Sequence, residues 1–291
     1  MGELIQVLYI ISFGLFIYGL TGLTGPRTAV RGNLVAAAGM ALAIVATLLR
    51  PGTGHWWLIA VGAAAGTAVG VPAARKVRMT AMPQMVALFN GVGGGAVALL
   101  SVVEFHQTHG YGDSPAYVAV TSLFAAVVGS VSFWGSLVAY GKLQEILPGR
   151  PVGAGRLQQP LNGAMLAIAV GCAAAAGTGA AGSGWLVGIV LLAAAALGVL
   201  VVLPIGGADM PVVISLLNAF TGLSAAATGL ALGNTAMIVA GMIVGASGTI
   251  LTNLMAKAMN RSIPAIVAGG FGGGPAAPGG PGGAAGGDGK T

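Results

Sequence analysis

The sequence predicts an all-α polytopic membrane protein of about nine transmembrane helices, with its N-terminus outside and its C-terminus cytoplasmic. Three observations carry this. Hydrophobic residues make up 56% of the 291-residue chain and charged residues only 6%, at a mean hydropathy of +0.92, whereas a soluble domain carries roughly 25% charge to meet water. Twelve basic and six acidic residues cannot coat a soluble body of this size, which excludes an ordinary cytosolic enzyme and a disordered chain. Second, nine apolar stretches are long enough to cross a bilayer. They fall near residues 3–23, 32–49, 56–74, 81–103, 116–141, 161–180, 185–203, 211–231 and 236–256. Third, the basic residues are one-sided. Arg27, Arg31, Arg75, Lys76, Arg78, Lys142, Arg150, Arg156, Lys257 and Arg261 all fall in links that share a side. The other side receives Arg50, Glu3, Glu104, Asp113 and the three histidines, His55, His106 and His109. Basic loops stay cytoplasmic, which sets the orientation and explains the net charge of +6 without nucleic acid.

The first span is not a cleaved signal, because its only early charge is Glu3 and no small-residue cleavage site follows. Span three carries Gly62, Gly66 and Gly70 at four-residue spacing, a ladder expected to mark close helix contact. Span four holds Asn90, followed by a glycine run to Gly95 that resembles a phosphate loop. A dinucleotide fingerprint needs a strand before it and a helix after it, and this run lies in mid-membrane. Trp56, Trp57 and Tyr111 suit an outer interfacial belt.

Span five contributes Ser130, Ser132 and Ser136. Cys172 in span six cannot form a disulfide within a chain that has one cysteine, and reads as a small buried hydrophobe. Span eight is the informative one. At about 100° per residue, Asn218, Thr221, Ser224 and Thr228 share an arc of roughly 120°. Leu216, Ala219, Phe220, Leu223 and Leu230 lie opposite. Such a face either bonds to neighbouring helices or lines a water path. Asp209, just before this span, either caps the helix or belongs to a proton mouth or docking surface. Span nine adds Gly241, Gly245, Ser247, Thr249, Thr252 and Asn253.

No span places Asp, Glu, His, Lys or Arg near its centre. Protons crossing here must move through water between neutral side chains, or use a titrating group from a partner. Residues 269–291 hold 12 Gly and three Pro in 23 positions and read as a flexible linker. The expected organisation is a transmembrane domain over 1–262 and a linker over 263–291, with a further domain beyond Thr291. Two other readings remain, a secondary transporter of a small solute and a structural anchor. The first predicts an internal repeat, which is not evident; the second needs no polar face on span eight.

Four segments carry a resemblance: KVRMTAMPQMVALFNGVGGGA (76–96), SLVAYGKLQ (136–144), IGGADMPVVISLLNAFTGLSAAATG (205–229) and KAMNRS (257–262) followed by VAGGFG. In order, they resemble the membrane domain of the β subunit of proton-translocating nicotinamide nucleotide transhydrogenase. The resemblance implies a proton-conducting half whose partners are an α-type membrane subunit and cytoplasmic domains that bind NAD(H) and NADP(H). This chain would hold no cofactor and would be inactive alone. The complex would be a dimer of protomers in a bacterial inner membrane. Residue by residue, the resemblance places Asn90, Ser136 and Asn218 on the proton pathway, and the polar arc of span eight adds Thr221 and Ser224. It assigns coupling at the cytoplasmic face to Asp209, Gly248, Lys257 and Arg261. Many members have histidine where Asn90 stands, and a histidine of the α-type subunit replaces it in some that do not.

Overall fold

A computed structural model of the chain describes residues 2–264 and 266, apart from 24, 53, 113 and 180–183. The linker from residue 267 onward and Asp113 therefore lie outside the described residues. Among those described, nine helices are long and apolar enough to cross a membrane. They are α1 (Gly2–Gly22), α2 (Ala29–Leu48), α3 (Trp56–Lys76), α4 (Met82–Gln107), α5 (Ala116–Leu143), α6 (Gln158–Gly177), α7 (Gly184–Val202), α8 (Met210–Ala231) and α9 (Thr235–Ala258). In lipid only a helix satisfies its backbone internally, so apolar stretches of this length adopt it. Helix starts follow local chemistry. Pro83 and Pro211 sit in the first turns of α4 and α8, where no backbone donor is lost. The Asn234 side chain accepts the Met237 amide at 3.2 Å and caps α9.

Two boundaries differ from expectation in an informative way. α2 begins at Ala29, so Arg31 lies inside its first turn. α5 runs to Leu143, which places Lys142 in its last turn and, at 3% exposure, inside the protein.

Small residues set the packing order. α8 and α9 approach so closely that a Cβ on Gly222 would lie 2.5 Å from the Gly245 amide, and one on Gly241 would lie 2.4 Å from the Ala226 amide. α4 meets α5 in the same way, with a Cβ on Gly94 falling 2.9 Å from the Gly129 carbonyl. Without a hydrophobic drive between helices in lipid, such contact is a main source of association. α5 is the hub, packing on α4, α7 and α8, while α1 pairs with α2 and touches α9. One apolar cluster, including Val138, Val202, Ile205, Met210, Val213 and Ile266, fills the end that carries the basic links. A second, including Phe105, Tyr111, Val118 and Leu123, fills the opposite end.

α3 departs from expectation. No residue of it is buried, and nothing lies within 4 Å of a Cβ built on Gly62, Gly66 or Gly70. The ladder marks no helix contact among the described residues of this chain. A small-residue face permits close approach, but only a facing helix makes it one.

Candidate functional site

The site grows from α5. Ser132 and Ser136 are one turn apart and share a face, and both are buried. Asn90, in the third turn of α4 and 7% exposed, donates from Nδ2 to Ser136 Oγ at 2.9 Å and to Ser132 Oγ at 3.3 Å. Ser132 Oγ in turn lies 2.5 Å from Thr221 Oγ1 on α8. Both hydroxyls are 3.0 Å from the Leu217 carbonyl. Two hydroxyls and one acceptor allow two proton orders. Ser132 donates to Leu217 while Thr221 donates to Ser132, or the two roles exchange by rotation of the hydroxyls. Three helices thus meet at a connected polar cluster that reorients without titrating. Asn90 Oδ1 is buried with no hydrogen-bond partner among the described residues, and an unmatched buried acceptor is costly.

Towards the opposite end the cluster gives way to an apolar layer. Gly94 and Gly129 bring α4 and α5 into backbone contact, and Val97, Ala125 and Ala227 form a buried cluster beyond them. Ser224 and Thr228, both essentially inaccessible, donate to carbonyls of their own helix, those of Thr221 and Ser224. Ser224 is therefore in line with the cluster along α8 without a side-chain bond to another helix. Asn218 is half-buried and bonds to none of the described residues, so it lies beside the cluster rather than in it. The apolar arc of α8 faces outward at Phe220, Leu223 and Leu230. Ala219 departs from that arc, being buried against Gly248 of α9.

Gly248 has a structural role that the geometry makes plain. A Cβ there would stand 3.0 Å from the Ala219 backbone. One turn further along α9, Thr252 donates to Ser215 Oγ at 3.0 Å, and Ser215 donates to the Gly248 carbonyl at 3.3 Å. Asp209 occupies the position of a helix cap on α8, but its side chain makes no capping bond. Its Oδ2 instead accepts from the Arg261 guanidinium at 2.7 Å. The cap reading fails because a charged donor beyond α9 reaches the carboxylate first. Lys257 is exposed and has no bonding partner among the described residues.

Two residues stand outside the pathway that the sequence assigned, although Ser132 is among the polar residues it offers on span five. Ser132 is the bridge between Asn90 and Thr221, and its four-residue spacing from Ser136 was the available signal. Lys142 looked like a solvated basic charge, and nothing in its neighbourhood along the chain marked it as buried. A further polar group closes the opposite end. Tyr111, 3% exposed, donates to Ser122 Oγ at 2.7 Å. Burial raises its phenol above the ordinary range, the Ser122 bond lowers it, and the Glu104 charge adds a further rise.

A family model described as NAD(P) transhydrogenase beta subunit matches residues 5–286. Two Rhodospirillum rubrum sequences, each named NAD(P) transhydrogenase subunit beta, are 42% identical to this chain over 275 residues. The match covers 93% of this chain and 59% of the relative. The chain thus spans about three-fifths of the length of the curated relatives it matches.

Proposed function

The chain belongs to the family of NAD(P) transhydrogenase beta subunits, and from that premise we propose that it is the proton-translocating membrane component of such an enzyme. In this reading it couples proton movement across a bacterial inner membrane to hydride transfer between NAD(H) and NADP(H) on partner cytoplasmic domains. The N-terminus is outside and the basic end is cytoplasmic, as the ten one-sided Lys and Arg residues argue. The working protein includes an α-type membrane subunit and assembles as a dimer of protomers.

The observation that carries the reading is the buried Ser136–Asn90–Ser132–Thr221 cluster where α4, α5 and α8 meet. Its groups hold and reorient protons but do not titrate, so the titrating group comes from a partner. Asn90 Oδ1, buried with no hydrogen-bond partner among the described residues, supports this, since it suits an enclosed water that a histidine of the α-type subunit protonates. Proton arrival there is read at the cytoplasmic face through α8 and α9, which share the Ser215–Thr252 bond and the Gly248–Ala219 contact. At that face Asp209 and Arg261 join the start of α8 to the segment after α9. Asp209, Gly248, Lys257 and Arg261 are the coupling residues in this account, and Asn218 is a water-holding group beside the cluster.

The test is proton-driven reverse transhydrogenation in vesicles holding the complete complex, compared with cyclic hydride exchange, which bypasses the channel. Asn90→Leu should abolish the first and spare the second. Equal loss of both, or loss of neither, would remove the cluster from the proton path.

A further inference from the structure

Lys142 is a basic residue at the end of α5 that the proposed pathway does not use. Its side chain is buried, and no carboxylate bonds to it among the described residues. Its ammonium donates to three carbonyls, those of Leu203, Ile205 at 2.7 Å and Arg150 at 3.3 Å. α7 ends at Val202, so the Leu203 and Ile205 carbonyls lie just past its last turn, where no helical amide is available to them. A cation suits that end of a helix, where the backbone dipole is negative. The lysine therefore acts as a tertiary cap, offered by α5 to α7.

The residues it grips are the start of the link that carries Asp209. Two backbone bonds complete the attachment. The Val152 amide donates to the Leu203 carbonyl at 3.2 Å, and the Gly207 amide donates to the Gly149 carbonyl at 2.9 Å. Asp209 follows in a short 3-10 turn, Gly207–Asp209, and reaches Arg261. The same helix that supplies Ser132 and Ser136 to the polar cluster thus fixes, through one side chain, the link from which Asp209 projects.

We infer that Lys142 is a positioning residue: it holds the 203–209 link so that the Asp209 carboxylate faces Arg261, and it ties that pair mechanically to α5. The inference rests on the proposed coupling role of Asp209 for its functional meaning, but its geometry can be tested separately. Two directed bonds from a buried ammonium restrain the link, and a third holds the Arg150 carbonyl, in a way that a methionine of similar length cannot, since it does not donate.

The experiment uses the complete complex in vesicles, with Cys172→Ala and Ala208→Cys carrying a nitroxide. Ala208 is exposed and adjacent to Asp209. Lys142→Met should sharpen the room-temperature spectrum, and Lys142→Arg, which keeps donors, should restore it. Without the label, Lys142→Met should lower the proton-coupled rate about tenfold, the scale of losing bonds from a charged donor, and spare cyclic exchange. In an Asp209→Asn background the same substitution should add little, because residues that act through one another are not additive. An unchanged spectrum in Lys142→Met, or a full additive loss in the double variant, would overturn the inference. If Lys142→Met does not assemble, Lys142→Gln takes its place. Should neither assemble, Lys142 is a folding determinant and the positioning role falls. Loss of coupling in Lys142→Met with no effect of Asn90→Leu would instead count against the pathway and leave the positioning role standing.

Discussion

Ser132 and Thr221, separated by 89 positions in the chain, place their hydroxyl oxygens 2.5 Å apart, and this contact fastens α5 to α8 at the level of Asn90. It makes the polar groups of three helices one connected unit. Ser130 provides the contrast on the same helix. It is also buried, but its hydroxyl donates to the Leu191 carbonyl of α7 at 2.9 Å, away from the cluster.

Ser132→Ala should therefore impair proton-driven transhydrogenation in the complete complex, and Ser130→Ala should not. Ser130→Ala removes one membrane hydrogen bond, worth about 0.6–2 kcal/mol, whereas Ser132→Ala removes contacts to Asn90, Thr221 and Leu217 and should also melt somewhat lower. A similar rate for the two variants would show that the serines serve packing alone.

Asn218→Leu should reduce the coupled rate more than Leu223→Ala. An amide can donate and accept to a water chain, whereas leucine dries the constriction. Leu223 lies on the exposed arc at 43% exposure. Intact coupling in Asn218→Leu would remove that residue from the water path.

Glycine substitutions should rank by the space the structure leaves. Gly222→Ala forces a Cβ to 2.5 Å from the Gly245 amide, and Gly248→Ala brings one to 3.0 Å from the Ala219 backbone. Overpacking typically costs about 1–3 kcal/mol, so detergent-solubilised Gly222→Ala should melt below Gly248→Ala. Gly66→Ala meets nothing within 4 Å and should melt with the parent chain. Destabilisation of the isolated chain by Gly66→Ala would mean that α3 packs within it.

Asp209→Asn should cost little thermal stability, because asparagine keeps an acceptor for Arg261 and the Arg261 side chain is 43% exposed against 14% for Asp209, and ion pairs open to water are worth about 0–1 kcal/mol. Proton-coupled turnover should nonetheless fall. A large drop in melting temperature with coupling retained would make the pair a structural tie.

Tyr111→Phe removes the bond to Ser122 at a cost of about 1 kcal/mol. Because the folded-state phenol is raised, the stability it lends is complete below the ordinary phenol range. It declines as pH rises through the raised range. The difference in melting temperature between parent and Tyr111→Phe should be constant near neutrality and shrink in alkali. A difference that grows with pH would reverse the sign and the cause.

The sequence by itself determined the membrane class, the number of spans and the presence of a polar arc on α8, because these depend on local quantities. Apolar length decides spanning, 3.6-residue periodicity decides which side chains share a face, and the resemblance singled out Asn90, Asp209 and Gly248. Tertiary structure decided what each polar group meets. Asp209 looked like a cap until the fold brought Arg261 to it. Gly62, Gly66 and Gly70 looked like a contact seam, yet no described helix of this chain comes to them. Lys142 looked like a solvated charge, and only the convergence of α5 with the end of α7 supplied the carbonyls that bury it. Ser132 and Thr221 could be placed on their own helices from spacing alone. Their pairing depends on how α5 and α8 cross, where Gly135 leaves room for the Leu217 side chain, and no pattern within either helix fixes that crossing.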